Sequence, residues 1–134
     1  MISTFSLDSS MIATIGGTFY PTGYSMLMFP DEASAVAAGE ALGERLEEPE
    51  IFLLTPASIL SQITPTVSDA DDPLPSAGTE GATVRAYTKL AREGHHGLLV
   101  KTPDEESAQS MMEVVKRYPY SMAQRYRMLV IEDL

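Results

Sequence analysis

Six residues recur in this chain at a fixed offset. Residues 30–35 read Pro-Asp-Glu-Ala-Ser-Ala and residues 103–108 read Pro-Asp-Glu-Glu-Ser-Ala, five identities in six positions 73 residues apart, and Glu40 then aligns with Glu113. Each copy follows a short apolar run, Met26-Leu27-Met28-Phe29 in one and Leu98-Leu99-Val100 in the other. Each is followed by helical spacing and a second apolar run, Ile51-Phe52-Leu53-Leu54 and Met128-Leu129-Val130-Ile131. Short apolar runs read as strands and three- or four-residue spacing as helix, so the unit is strand–helix–strand, present twice.

A doubled βαβ unit in a chain of this size most simply builds an α+β ferredoxin-like sandwich, an antiparallel sheet with two helices on one face and here an inserted third helix. Strands are predicted near 23–29, 50–55, 96–102 and 126–132, and helices near 31–46 and 103–117. The repeated Pro-Asp-Glu reads as a helix start. Thr102 is the expected N-cap, Pro103 the first helical residue and Glu105 the partner of a capping box, with Asp104, Glu105 and Glu106 complementing the helix dipole. The first copy has Phe29 in place of Thr102, which predicts a weaker start. The inward stripes are Ala35, Ala38, Ala41, Leu42 and Leu46 in one helix and Ala108, Met111, Met112 and Val115 in the other.

The whole of 1–134 reads as one domain. Residues 1–21 read as an irregular arm with a turn at Gly16-Gly17, able to add a strand or reach a partner. Residues 56–63 read as a short helix. Residues 64–78, with three prolines and three aspartates, read as a mobile surface loop. A third helix is predicted from Gly78 to Gly94, with Val84, Tyr87, Thr88 and Ala91 inward and Gly94 as its C-cap. Residues 118–126 read as a turn and a short helix. A four-stranded sheet covered on one face needs cover on the other, and Phe5, Ile12, Ile15, Phe19, Tyr118, Tyr120 and Tyr126 are the candidates, within one chain or between two copies; a homodimer is expected.

Charge and composition exclude several functions. Asp and Glu number 19 against 9 Lys and Arg, a net charge of −10, which repels nucleic acid and anionic membrane surfaces. With no cysteine, thiol nucleophiles, disulfides and thiolate metal sites are absent. The start carries no signal-peptide pattern and no apolar run approaches a membrane span, so a cytoplasmic protein is expected. Phosphate-loop, zinc-protease, nucleophile-elbow and dinucleotide motifs are all missing, and Asp69, Asp71 and Asp72 lack the rest of a calcium loop. No cofactor and no metal is expected.

Two groups of residues carry chemistry. His95 and His96 are the pair that titrates near neutral pH, and on a strand they face opposite ways, so they cannot share a metal. Gly78, Thr79, Gly81 and Thr83 open the third helix, where free amides attract an anion, and Arg85, Lys89 and Arg92 follow at i, i+4 and i+7 on one face. A small anionic ligand near residues 78–92 is one reading of this group. A solvated basic face is the other.

The stretch from Tyr87 through Arg92-Glu93-Gly94 and the strand Leu98-Leu99-Val100 to Pro103-Asp-Glu-Glu-Ser-Ala108 resembles the second half of small bacterial general stress proteins. The resemblance covers roughly residues 81–117, with a fainter echo at 22–54. The long Gly/Ala-rich segment common between the halves of that family is missing here, and the C-terminal strand is this chain's own. The resemblance implies the same fold and a stress-associated role rather than a reaction, since the family is not an enzyme group. The expected function is therefore non-catalytic, exerted through self-association or partner binding. The alternatives are the anion-binding regulatory domain and a cofactor-free enzyme resembling dimeric ferredoxin-like oxygenases, using His95 or His96.

Overall fold

A computed structural model describes residues 2–13, 17–67 and 79–134. Over the described residues the protein is an α+β structure with four helices and a six-stranded mixed sheet. The strands are β1 (Ile2–Thr4), β2 (Tyr24–Phe29), β3 (Ile51–Leu54), β4 (His96–Lys101), β5 (Met122–Arg127) and β6 (Val130–Asp133). The helices are α1 (Glu32–Arg45), α2 (Pro56–Ser58, running on as a wider π-type turn over Ile59–Ile63), α3 (Thr79–Arg92) and α4 (Glu105–Val115). The sheet order is β1-β3-β4-β2-β5-β6, antiparallel throughout except that β1 runs parallel to β3. The arm at the N-terminus thus adds a strand, and that strand makes the sheet mixed where a purely antiparallel one was expected.

The repeat accounts for the centre of the sheet. β2 and β4, the first strands of the two copies, lie side by side with Met26 opposite Leu99. Both helix starts are capped by the aspartate of the repeat. Asp31 accepts from Ser34 N at 2.7 Å and Asp104 from Ser107 N at 2.8 Å, and around Asp104 the Ser107 hydroxyl returns to the cap to close a capping box. This corrects the expectation for Thr102 and Glu105. Thr102 is fully buried beside Ser25, with 2.7 Å between their hydroxyl oxygens. With the cap inside the repeat, Phe29 does not weaken the first start; it is a core residue.

Residues 118–133 depart most from expectation. Residues 118–126 are not helical, and a single strand over 126–132 is replaced by the hairpin β5–β6, closed by the two-residue turn Met128-Leu129 with Arg127 opposite Val130. The offset of 73 itself maps β3 onto residues 124–127 rather than onto the apolar run 128–131. β5 carries Gln124, Arg125 and Arg127, so its polarity hid it.

Each face of the sheet is covered by the chain. On one side α1 and α4 pack over Leu27, Phe29, Leu98, Val100 and Ala123 through Ala35, Ala38, Leu42, Met111 and Val115. Gly39 lets the edge strand approach α1, since a Cβ there would meet Ile2 Cδ1 at 2.6 Å. On the other side α3 and the α2 turn, with Phe5, Met11 and Phe19 from the N-terminal arm, pack over Met26, Met28, Leu99 and Tyr126. Phe19 is wholly buried with edge-on contacts to Phe5, Tyr87 and Tyr126. A fully buried aromatic or aliphatic side chain contributes about 1.5–3 kcal/mol, so this second layer is a core in its own right. Of the residues expected to cover this face, Phe5, Phe19 and Tyr126 do so, Ile12 is half-buried and bridged to Phe19, Tyr118 lies on the helix-pair side, Tyr120 is exposed and Ile15 falls outside the described residues. The open sheet face that motivated a homodimer is closed within the chain.

Candidate functional site

Helix α3 presents the expected faces. Val84, Tyr87, Thr88 and Ala91 are buried, as are Gly81 and Thr83, while Arg85, Lys89 and Arg92 are exposed. Gly78 lies outside the described residues and Thr79 is the first residue of the helix. The helix is 14 residues long, about 20 Å at 1.5 Å per residue. Lys89 and Arg92 belong to its last turn, where positive charge complements the helix dipole. The structure therefore does not bring these two bases to the helix start where an anion would meet free amides. Arg85 lies between the two ends.

At the far end of α3, Gly94 takes φ +92°, and His95 N donates to Leu90 O at 3.0 Å. This sharp exit sends the two imidazoles to different partners. His95 Nδ1 lies 2.9 Å from the Ser121 hydroxyl, and Ser121 is fixed through its amide to Met28 O at 2.7 Å. His96 Nδ1 lies 3.1 Å from Gly94 O, a group that only accepts, so Nδ1 carries the proton. His96 Nε2 then faces Glu32 Oε2 at 3.5 Å, an attraction only when the ring is doubly protonated. The Asp31 carboxyl is held below its usual range, first by the hydrogen bonds from Ser34 and last by His96. Neither Ser121 nor Glu32 was legible as a histidine partner: they stand 26 and 64 residues away in the chain, and no local pattern links them.

A second polar group lies inside the α3 layer. Tyr87 Oη is 3.0 Å from Gln124 Oε1 and 3.0 Å from Tyr126 Oη, and Gln124 Nε2 donates to Asp133 Oδ1 at 2.9 Å. Burial pushes both phenols well above their ordinary range. A third lies under α4, where Ser25, Thr102 and Arg125 are all buried on the helix-pair side of neighbouring strands. Arg125 Nε is buried with no hydrogen-bond partner among the described residues, and its guanidinium meets Glu132 at 3.7 Å. Arg125 also adds to the lowering of the Asp104 carboxyl, behind the larger effect of the Ser107 hydrogen bonds. Among the described residues no group of three or more acidic or histidine side chains is placed to hold a metal ion, and no helix is long and apolar enough to cross a membrane.

The surface carries two further features that face solvent. Met128 and Leu129, at the tip of the β5–β6 hairpin, are 79% and 91% exposed, and Val130 beside them is 52% exposed. Leu129 takes φ +67°, the left-handed region that a branched side chain enters at a cost of about 1–2 kcal/mol. On the outer face of α1 runs a groove of about 590 Å³, lined by Val36, Ala37 and Ala41 with Glu40 and Glu44 and ending at Tyr118. No family model matches this chain, and neither curated proteins nor solved structures show a significant similarity to it.

Proposed function

We propose that this chain is a ferredoxin-like, non-catalytic cytoplasmic protein that acts by self-association, in keeping with its resemblance to small stress proteins. The ferredoxin-like reading is supported by the order β3-β4-β2-β5 within the sheet, with α1 and α4 packed together on one side. The observation that carries the functional reading is the hairpin tip. Three consecutive large apolar side chains stand in water on a chain that otherwise covers both faces of its own sheet. Isolated exposed apolar residues need no explanation, but a contiguous group held in a strained turn does. Static light scattering over a concentration series tests the reading: a rise above the chain mass of 14.6 kDa supports it, and a constant monomer mass up to about 100 μM, the range for small interfaces, contradicts it.

One observation favours a second reading, an enzyme using a histidine. The His95–Ser121 contact at 2.9 Å is the geometry of a base beside a hydroxyl nucleophile. Hydrolysis of an activated ester that disappears in Ser121→Ala and in His95→Gln would support it.

A further inference from the structure

We propose that the β5–β6 hairpin tip of one copy docks into the α1 groove of a second copy. The inference rests on the self-association reading and names the two surfaces that meet. The tip is convex and apolar, and Arg127 immediately before it is exposed, so the protrusion carries a positive charge at its base. The groove is shallow and open, floored by small apolar side chains, and bordered by carboxylates with no basic residue in its lining. Polarity and charge therefore match in this pairing. Another cleft, of about 460 Å³ between the end of α1 and the start of α4, is lined by Arg45, Lys101, Glu47, Glu48, Asp104 and Glu106 among others. That charged lining would strand an apolar tip.

The pairing also accounts for the choice of residues in the turn. A two-residue hairpin turn ordinarily takes Asn-Gly or a related pair, because the backbone needs positive φ. Here Met-Leu occupies it, with Leu129 at φ +67°. The turn gives up local stability and places two flexible apolar side chains at the furthest point of the hairpin. Burial against another surface would recover that loss. A contact of this size belongs to the weak class of interfaces, and its Arg127–glutamate component makes it sensitive to salt.

The experiment uses the full-length chain and two variants, Leu129→Asn at the tip and Ala37→Arg in the groove. Both positions are exposed, and Asn tolerates the left-handed turn, so both variants should fold, as circular dichroism will verify. Sedimentation velocity on each alone is expected to show association weakened about ten-fold or more, the scale of a lost anchor residue. The 1:1 mixture supplies an intact groove from one variant and an intact tip from the other. It is expected to form a complex holding one of each, identified by native mass spectrometry. If the wild type associates and either variant alone associates equally well, or if the mixture stays monomeric, the pairing of tip with groove is wrong while self-association stands. If the wild type is monomeric throughout, the self-association reading and this inference fall together. A monomer that instead floats with phosphatidylcholine vesicles assigns the tip to a lipid surface and overturns both.

Discussion

The buried chain through Tyr87 has a direction, and that direction can be measured. Asp133 is a carboxylate, so Gln124 turns its Nε2 toward it and its Oε1 toward Tyr87. Oε1 only accepts, so the single proton of Tyr87 goes there, and the Tyr126 proton must go to the Tyr87 oxygen. Tyr87→Phe keeps the ring against Phe19 but removes the middle of the chain, stranding the Gln124 carbonyl and the Tyr126 hydroxyl in the interior. Each stranded buried group costs about 1–3 kcal/mol, so the variant should lose about 3 kcal/mol, or roughly 10 °C in Tm for a domain of this size. Tyr126→Phe removes only the last donor and leaves Tyr87 bonded to Gln124, so its loss should be about 1 kcal/mol. In the double variant the Tyr126 hydroxyl is no longer there to be stranded. The double loss should equal or fall below that of Tyr87→Phe, well short of additive, because the two groups share one chain. Urea denaturation followed by circular dichroism, with unchanged m-values, supplies the three numbers. Tyr126→Phe costing as much as Tyr87→Phe, or strict additivity, would refute the proton assignment.

Because burial raises the Tyr87 and Tyr126 phenols above their ordinary value of 10.0, their stabilising effect is complete below pH 10 and declines as pH rises further, by up to about 1.4 kcal/mol per pH unit for each group; urea midpoints between pH 9 and 11 should fall, and less steeply in the double Phe variant. Arg125→Met should leave stability unchanged or raise it by about 1 kcal/mol in thermal unfolding, since it removes a buried cation whose Nε has no partner while keeping the volume; a loss above about 2 kcal/mol would show that the Glu132 and Asp104 interactions outweigh its desolvation. Leu129→Gly should raise the stability of the isolated chain by about 1 kcal/mol by relieving the positive φ, measured at concentrations low enough to keep it monomeric; a destabilised variant would mean that the tip side chain is held by its own chain.

How far the fold could be read from the residues depended on which elements announce themselves locally. β2, β4, α1 and α4 are each amphipathic or apolar and bounded by the repeated Pro-Asp-Glu, so periodicity and capping chemistry reach them without tertiary information. The α3 stripe of Val84, Tyr87, Thr88 and Ala91 was legible for the same reason. The caps themselves were misplaced by two residues, because Thr102 is as good a cap as Asp104 in isolation. Only its burial against Ser25 removes it from that role. β5 was illegible because Gln124 and Arg125 look like surface residues, and what buries them is contributed by β6 together with α3 over Gln124 and the start of α4 over Arg125. The histidine partners share this cause: Ser121 and Glu32 reach His95 and His96 only after β2, β4 and β5 have aligned.

The apolar run Met128–Ile131 marks a different limit. A run of four apolar residues predicts burial, and a core strand was the natural place for it. In the folded chain only Ile131 packs partly against the core, while Met128, Leu129 and Val130 face water. Hydrophobic pattern encodes that a surface leaves water, but not which surface covers it. A residue destined for the interior and one destined for a partner carry the same letter, because the transfer free energy is the same in both cases. The backbone distinguishes them. A strand inside a sheet gains from β-branched and aromatic side chains, whereas a left-handed turn position is penalised by any Cβ, and Leu129 accepts that penalty at φ +67°. Intramolecular packing leaves the tip side chains in water, and the α1 groove of a second copy is the surface we propose for them.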